Sequence, residues 1–498
     1  MAVNMDSGLA GERPRPGMTS RAGWLAQQAT APPPLDRIGA NLSGGADPFT
    51  DGATDSPAGC DPMNEAPSSP PADAPAHDRS AINRLLLFFA IVYVVEGLGQ
   101  VGGLIAQPLS YYLKQEHGWT PSQVSAYLTI FNFPWIIKPV YGVFSDFVPL
   151  FGYRRKGYLV AANIVATGAF LWVTQLYSPS HLVWALEATA YAMAISSTVC
   201  GAVLVENGQK LGESGRFVNQ QWLWFNVAAM ASAIGGGALT QLLPPTSALH
   251  VAAAIVAVAP LAVLLGAIFL IPEQPARIDL PALRRSFRAL LAAFKKRELW
   301  IVGLFLFLYY FSPGLSTPLY YTMTDGLKFP QGYIGILGSI SSAGWIVGAL
   351  LYRRLFGDLS SKRLLQLSIA LGTVTTAAYL LLMNELSAAI LSFCGGFAAM
   401  LATVATITLA ADYSPQRAEG FSFALMMSLM NLASSAADNV GSFLFEHVFH
   451  NELAPLILVS AACTAFAFVF IPLLHLGDKP QGQPVGASAE GGAEQPGA

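Results

Sequence analysis

Apolar residues run through this chain in long stretches separated by short polar connections. The stretches lie near 84–112, 121–145, 156–177, 181–205, 217–242 and 248–271, and again near 299–323, 331–352, 364–383, 386–411, 421–446 and 454–475. Each reaches the roughly 20 residues that a helix needs to cross a bilayer. Lipid offers backbone groups no hydrogen bonds, so only helices or closed barrels span it. The runs are far too long for barrel strands. The pattern therefore predicts an all-α integral membrane protein with twelve transmembrane helices.

The two ends read differently. Residues 1–80 hold 12 of the 33 prolines, much Gly, Ala and Ser, and no apolar periodicity. Such a segment cannot bury enough apolar surface to offset the entropy of ordering, so a disordered tail is expected. It lacks the compact apolar core of a signal peptide and carries ten acidic against five basic residues, which argues against a transit peptide. Met63 stands as an alternative start. Residues 477–498 form a second Gly/Ala/Pro/Gln tail, also expected to be disordered. The longest internal connection, 272–298, carries seven basic residues and divides the helices into a bundle at 81–271 and a bundle at 299–476.

Composition strengthens the membrane reading. Charged residues make up 11% and apolar ones 53% of the chain, with a mean hydropathy of +0.47. So few charges cannot cover a water-facing surface. A net charge of −3 gives nucleic acid no electrostatic footing. Of Cys60, Cys200, Cys394 and Cys463, three sit in apolar runs as small packing residues. The distribution of charge also tests the helix count. With both termini cytoplasmic, 24 of the 27 Lys and Arg residues fall on the inner side. Lys114 and Lys328 fall outside, and Lys138 lies within a helix. Positive charge concentrates on cytoplasmic loops, and a miscounted helix would scramble the later loops. The expected location is therefore a plasma or bacterial inner membrane, crossed many times.

The halves echo one another. Gly142 and Asp146 precede Arg154, Arg155 and Lys156 between the second and third helices. Gly348, Arg353, Arg354, Asp358, Lys362 and Arg363 occupy the corresponding place in the second half. Parallel six-helix repeats mark a transporter architecture whose substrate site lies between the repeats near the midplane.

One segment is more specific. Pro134, Trp135, Lys138, Pro139, Tyr141 and Gly142, then Ser145 and Asp146, then Gly152, Tyr153, Arg154, Arg155 and Tyr158, resemble the folate–biopterin transporter family of the major facilitator superfamily. Val205-Glu206 and Gln220-Gln221-Trp222 resemble a second stretch of that family. Gly201 stands where the family commonly has an Asp. The resemblance implies a major facilitator fold in two six-helix repeats and transport of a pterin or folate-like solute. It also implies that Gly142, Asp146, Arg154, Arg155 and Lys156 form a latch between domains that holds one access state.

Charges within helices are the other candidates, because an ionisable group at the bilayer centre costs roughly 2.5–3.5 kcal/mol on insertion scales and usually faces a cavity. Glu96, Gln100, Gly103 and Gln107 fall on one face of the first run, and Ser428, Asn431, Ser435, Asp438 and Ser442 on one face of the eleventh. For the serines alone, hydrogen bonding between packed helices is the simpler reading. Glu187 with Tyr191 and Thr198, and Lys138 close enough to the inner surface to snorkel, complete the ionisable set. Asn132, Trp135, Gln220, Gln221, Trp222 and Asn226 offer hydrogen bonds and stacking faces. Glu96 and Asp438 are placed to exchange protons, and an acid-rich cavity also suits sodium. No helix interior carries the arginines a dianionic folate wants, so a neutral pterin fits better. Its amino-pyrimidinone edge offers two donors to a carboxylate. Carriage of an unrelated metabolite or drug, in either direction, is the alternative. No Walker, HExxH or nucleophile-elbow motif points to an enzyme. No cofactor and a monomer are expected.

Overall fold

A computed structural model describes residues 79–474 apart from 101, 277–287, 289–294, 296, 357–358 and 413–418. The expected disorder of 1–80 and 477–498, and most of the basic 272–298 connection, fall outside the described residues. Within them the chain forms sixteen α-helices. The first bundle holds α1 (Arg79–Gly99), α2 (Ala106–Gln115), α3 (Pro121–Ile130), α4 (Phe133–Ile136), α5 (Lys138–Phe147), α6 (Lys156–Val173), α7 (Pro179–Leu211), α8 (Ser214–Leu242) and α9 (Pro245–Leu270). The second holds α10 (Arg297–Tyr310), α11 (Ser316–Tyr321), α12 (Gln331–Phe356), α13 (Ser361–Ala378), α14 (Glu385–Asp412), α15 (Glu419–Phe443) and α16 (Leu453–Phe466). Nine of the described helical stretches are long and apolar enough to cross a membrane. Every one of the twelve predicted runs coincides with helical structure, as a twelve-helix bundle requires.

The ends obey local chemistry. Thr120 and Gln123 form a reciprocal capping box at the start of α3, with Pro121 in its first turn. Gly212 ends α7 with φ +69°, a conformation that costs glycine little. Three predicted runs are broken rather than continuous. The first unwinds between Gly99 and Ala106, where Leu104 N–H donates to the Leu98 carbonyl and Gly103 leaves no room for a Cβ, which would lie 2.2 Å from that oxygen. The second is cut into α3, α4 and α5, with Pro134 and Pro139 each in a helical first turn. The seventh breaks at Ser312-Pro313-Gly314, where the Gly314 N–H donates to Ala437 of α15 at 2.8 Å. A neighbouring helix thus satisfies the backbone group that the break frees.

Contacts between helix ends sort the connections onto two faces. Ala276 N–H reaches the Gly152 carbonyl, and Arg155 reaches Glu206, which brings the ends of α5, α7 and α9 to the face carrying the basic loops. On the opposite face, Tyr112 hydroxyl donates to Tyr177, Tyr127 to Pro179, and Tyr333 to Glu385. Apolar residues such as Trp184, Phe269, Leu350 and Val374 are exposed, as lipid-facing positions must be.

Each bundle has its own apolar core. One gathers Phe88, Phe89, Tyr93, Phe170 and Leu249; the other gathers Leu299, Leu306, Leu365, Met400 and Met426. Tyr320, Tyr321, Phe445 and Leu456 of the second bundle pack into the first core, so the halves are joined toward the opposite face. Two sets of contacts make most of the seam: α8 on α12, and α15 on α3, α4 and α5. Gly237 and Gly335 let α8 and α12 approach so closely that a Cβ on Gly237 would lie 2.8 Å from the Gly335 Cα.

Candidate functional site

Three helices of the first bundle deliver an acid, a hydroxyl and a base to one buried point. Glu96 comes from the last turn of α1, Ser197 from the middle of α7, and Lys138 from the first position of α5. Lys138 Nζ donates to Ser197 Oγ at 3.1 Å, and Ser197 Oγ donates to Glu96 Oε1 at 3.0 Å. Glu96 is 1% and Lys138 6% exposed. Burying either charge alone would be costly, and joining them through a hydroxyl satisfies part of each. The break before Lys138 matters here. Ile137, at φ −95° and ψ 14°, turns the chain so that Lys138 points inward instead of along the helix to the surface. The snorkelling expected from its position does not occur. Its ammonium lies 4.5 Å from the Trp135 ring, a cation–π contact.

The second bundle touches the same place. Asn431 Nδ2 of α15 donates to the Trp135 carbonyl at 3.3 Å. Trp222 of α8 stacks on Trp345 of α12, centroids 5.2 Å apart, across the seam. Glu187 and Tyr191 of α7 lie within electrostatic reach of the Tyr141 hydroxyl, and Glu187 Oε2 and Tyr141 Oη are both buried without a hydrogen-bond partner. Gln221 is buried in α8. Gln220 accepts from Trp224, and Asn226 donates back to the Trp222 carbonyl. Gln100 lines a small cavity with Ile105, Leu109, Phe131, Leu186 and Thr189.

Other predicted residues are placed elsewhere. The break after Gly99 separates Glu96 from Gln107, so the single stripe expected from their spacing does not exist. Gln107 instead reaches across the seam, donating to the Gln331 carbonyl at 2.8 Å and to Thr240 Oγ1 at 3.2 Å. Asp438 sits at the break of the seventh run, where Ser316 Oγ donates to Oδ1 at 3.3 Å. Near its end α15 also meets α3: Asn439 donates to Thr129 Oγ1, and Ser122 Oγ donates to the Ser442 carbonyl.

On the basic face, Arg155 is the centre of a network. One guanidinium nitrogen binds Asp146 Oδ1 at 2.5 Å and Glu206 Oε1 at 2.6 Å, and the other binds Ser145 Oγ at 2.7 Å. The Arg155 side chain is 4% and the Asp146 side chain 1% exposed. Burial works against the Arg155 charge, but the two carboxylates outweigh it and raise the guanidinium above its ordinary value. Arg154 lies 3.9 Å from both carboxylates. Every one of these partners belongs to the first bundle. Among the described residues, these contacts tie α5, α6 and α7 together. Gly142 meets only Thr198, at 3.9 Å for an added Cβ.

Two residues escaped the sequence reading. Ser197 carries a weak signal, three hydroxyl residues in a row at 196–198 of an apolar helix. Glu273 carries none. It accepts from the backbone N–H groups of Arg154, Arg155 and Lys156 at 2.7–2.9 Å, capping α6 from the connection after α9. Lys156 returns the contact, donating to the Ile268 carbonyl at 2.7 Å. Helix start and helix end thus hold each other.

The chain matches the model of the BT1 family over residues 98–481. It is 28% identical over 418 residues to the folate-biopterin transporter of Synechocystis sp., covering 79% of this chain and 82% of that protein. Among solved structures it resembles a variant of the nucleoside transporter NupG, with a TM-score of 0.60, 13% identity, and coverage of 78% of this chain and 98% of that one. A D-xylose–proton symporter gives a TM-score of 0.58 at 15% identity, covering 81% of this chain and all of that one. At these identities the two structures speak for the fold, which is the major facilitator type.

Proposed function

Since this multi-pass integral membrane protein belongs to the BT1 family, as its match over residues 98–481 shows, we propose that it is a secondary active transporter that carries a pterin or folate-like solute by alternating access, coupled to protons. The observation that carries this reading is the buried chain from Lys138 through Ser197 to Glu96. It lies beside Trp135, where Asn431 of the other bundle reaches in. A charged acid and base joined in low dielectric respond strongly to one added proton. Neutralising Glu96 would free Lys138 and Ser197 to bind solute, and solute departure would favour the ionised acid again.

Glu187, with its free oxygen beside Tyr141, is the residue best suited to accept the two donors of a pterin ring, and Trp135 and Tyr191 offer faces for stacking. Gln100, Gln221 and Asn431 are assigned as further polar contacts, and Asp438 as a second protonatable group at the moving break of the seventh run. The two bundles, 81–271 and 299–476, rock about the seam. Both termini and the basic face lie in the cytoplasm, following the asymmetry of Lys and Arg. The working unit is a monomer.

The test is uptake of labelled folate and of a neutral pterin into proteoliposomes, with an inward proton gradient, with a sodium gradient, and with neither. Proton-driven pterin uptake is expected, with folate slower. Glu96→Gln should abolish the response to the proton gradient while leaving exchange of solute across the membrane. A sodium response alone would replace the proton as coupling ion. Uptake of neither compound by correctly inserted protein would overturn the substrate assignment.

A further inference from the structure

The ties between the two bundles gather on the opposite face, and three of them converge on one short stretch of the first bundle. Lys114, at the end of α2, donates from Nζ to Asp325 Oδ1 at 2.6 Å and also to Thr324 Oγ1. The same ammonium lies 4.3 Å from the Tyr321 ring and 5.4 Å from the Tyr320 ring. Tyr321 Oη donates at 2.5 Å to the carbonyl of Trp119. Three residues later, the Ser122 N–H in the first turn of α3 donates at 3.0 Å to Glu446 Oε2. Glu446 lies in the turn Leu444–Val448 that follows α15. A carboxylate from one half thus caps a helix of the other, at the end where the helix dipole favours negative charge.

We propose that Lys114, Asp325 and Glu446 form the lock that keeps this face closed, and that protonation of the Glu446 carboxylate from the solution on that side releases it. This rests on the reading that the bundles alternate access, and on no particular solute. Every interaction named joins one half to the other, so opening the face must break them together. Glu446 faces the hydroxyls of Ser122 and Thr120, His447 on its own turn at 3.9 Å, and Tyr321 from the seventh run. Asp325 faces Lys114, Thr324, Tyr320 and Tyr321, and Lys328 is the other cation near Lys114. The Asp325 side chain is 58% exposed while that of Lys114 is 8% exposed, so removing the acid leaves the base with little solvent to replace it.

The sign follows from linkage. Burial pushes the Glu446 carboxyl up, but the Ser122 and Thr120 donors and His447 outweigh it and hold the group below its ordinary value. A carboxylate with a lower pKa in the closed state than when released stabilises closure above the usual glutamate range, about 4.3, and loses that contribution as pH falls through the closed-state value. Acid on this side therefore favours opening.

The experiment places spin labels at Ser180→Cys, at the start of α7, and Leu386→Cys, at the start of α14, both on this face. The four native cysteines are replaced by alanine, and pulsed electron–electron distances are measured in proteoliposomes at pH 7.5 and at about pH 3, below the usual glutamate value, without solute. The expected result is one closed distance at pH 7.5 and a longer population that grows in the acid sample. Asp325→Asn combined with Glu446→Gln should raise the long population at pH 7.5 by about fivefold or more, the lower end of measured coupling between sites. It should also remove most of the pH response. Exchanging the pair, Lys114→Asp with Asp325→Lys, should restore the closed distance that Lys114→Asp alone loses. A distance distribution unchanged by pH, or a double variant that keeps the full pH response, would overturn the proposal. Failure of pterin uptake would leave it standing, because no solute enters the measurement.

Discussion

The two faces of this transporter use polar groups in opposite ways. On the face opposite the basic loops, polar groups join the halves: Lys114 with Asp325, Ser122 with Glu446, Gln107 with Gln331, Asn439 with Thr129. On the basic face, the strongest network among the described residues stays inside one half, with Arg155 gripping Asp146 and Glu206, and Glu273 capping α6. The first kind of contact must be made and broken as the halves move. The second kind has no reason to break. Among the described residues, the motif expected to latch the domains braces one half, and the ties between the halves gather on the far side.

Breaking the brace should cost the most. Arg155→Met leaves two carboxylates, one of them fully buried, without their cation. Removing one partner of a buried pair typically destabilises by about 3–5 kcal/mol. A large fall in the thermal midpoint in detergent is expected, or loss of inserted protein. The seam comes next. Gly335→Ala drives a Cβ to 2.3 Å from the Ala233 carbonyl, where α8 and α12 touch. Overpacking of this kind costs about 1–3 kcal/mol, and because the strain falls between the halves, transport should fall more than stability. Glu273→Ala removes one acceptor from three backbone donors at the start of α6. A lost helix cap is worth about 1 kcal/mol, so a modest drop in midpoint is expected, and Glu273→Asp should recover part of it. Asp325→Asn is the mildest for stability. Its carboxylate is open to solvent though its cation is not, so the loss should lie near the upper end of the roughly 0–1 kcal/mol of surface pairs, a small midpoint change beside the shift in its distance distribution across the opposite face. A midpoint loss at Asp325 equal to that at Arg155 would erase the distinction between brace and lock.

Much of this was legible along the chain. Apolar run length placed the runs where the described residues are helical, nine of those helices being long and apolar enough to span, because lipid forces every backbone group into a helix and leaves few other solutions. The Asp146–Arg155 pair was legible because its members lie close in sequence on either side of a tight turn, with Phe151 and Gly152 at positive φ. The rotation of the side chains was not. Gln107 was assigned to the Glu96 stripe because a helical period was carried through Gly99–Ala106, where the helix unwinds. Lys138 was legible as a candidate ionisable group, but its link to Glu96 through Ser197 was not, because it depends on the turn at Ile137. Glu273 was invisible because its partners are backbone amides, which are the same in every residue.

The sequence by itself determined that this chain crosses a membrane as helices, that it has two halves, and which few ionisable residues lie within them. Those follow from hydropathy, charge count and spacing, which are local quantities. Tertiary structure alone decided that Glu96 and Lys138 share a serine, that Gln107 and Glu446 serve the seam, and that Asp438 stands at a helix break. Each depends on where a broken helix points after its break, and that direction is set by packing between segments up to some 320 residues apart.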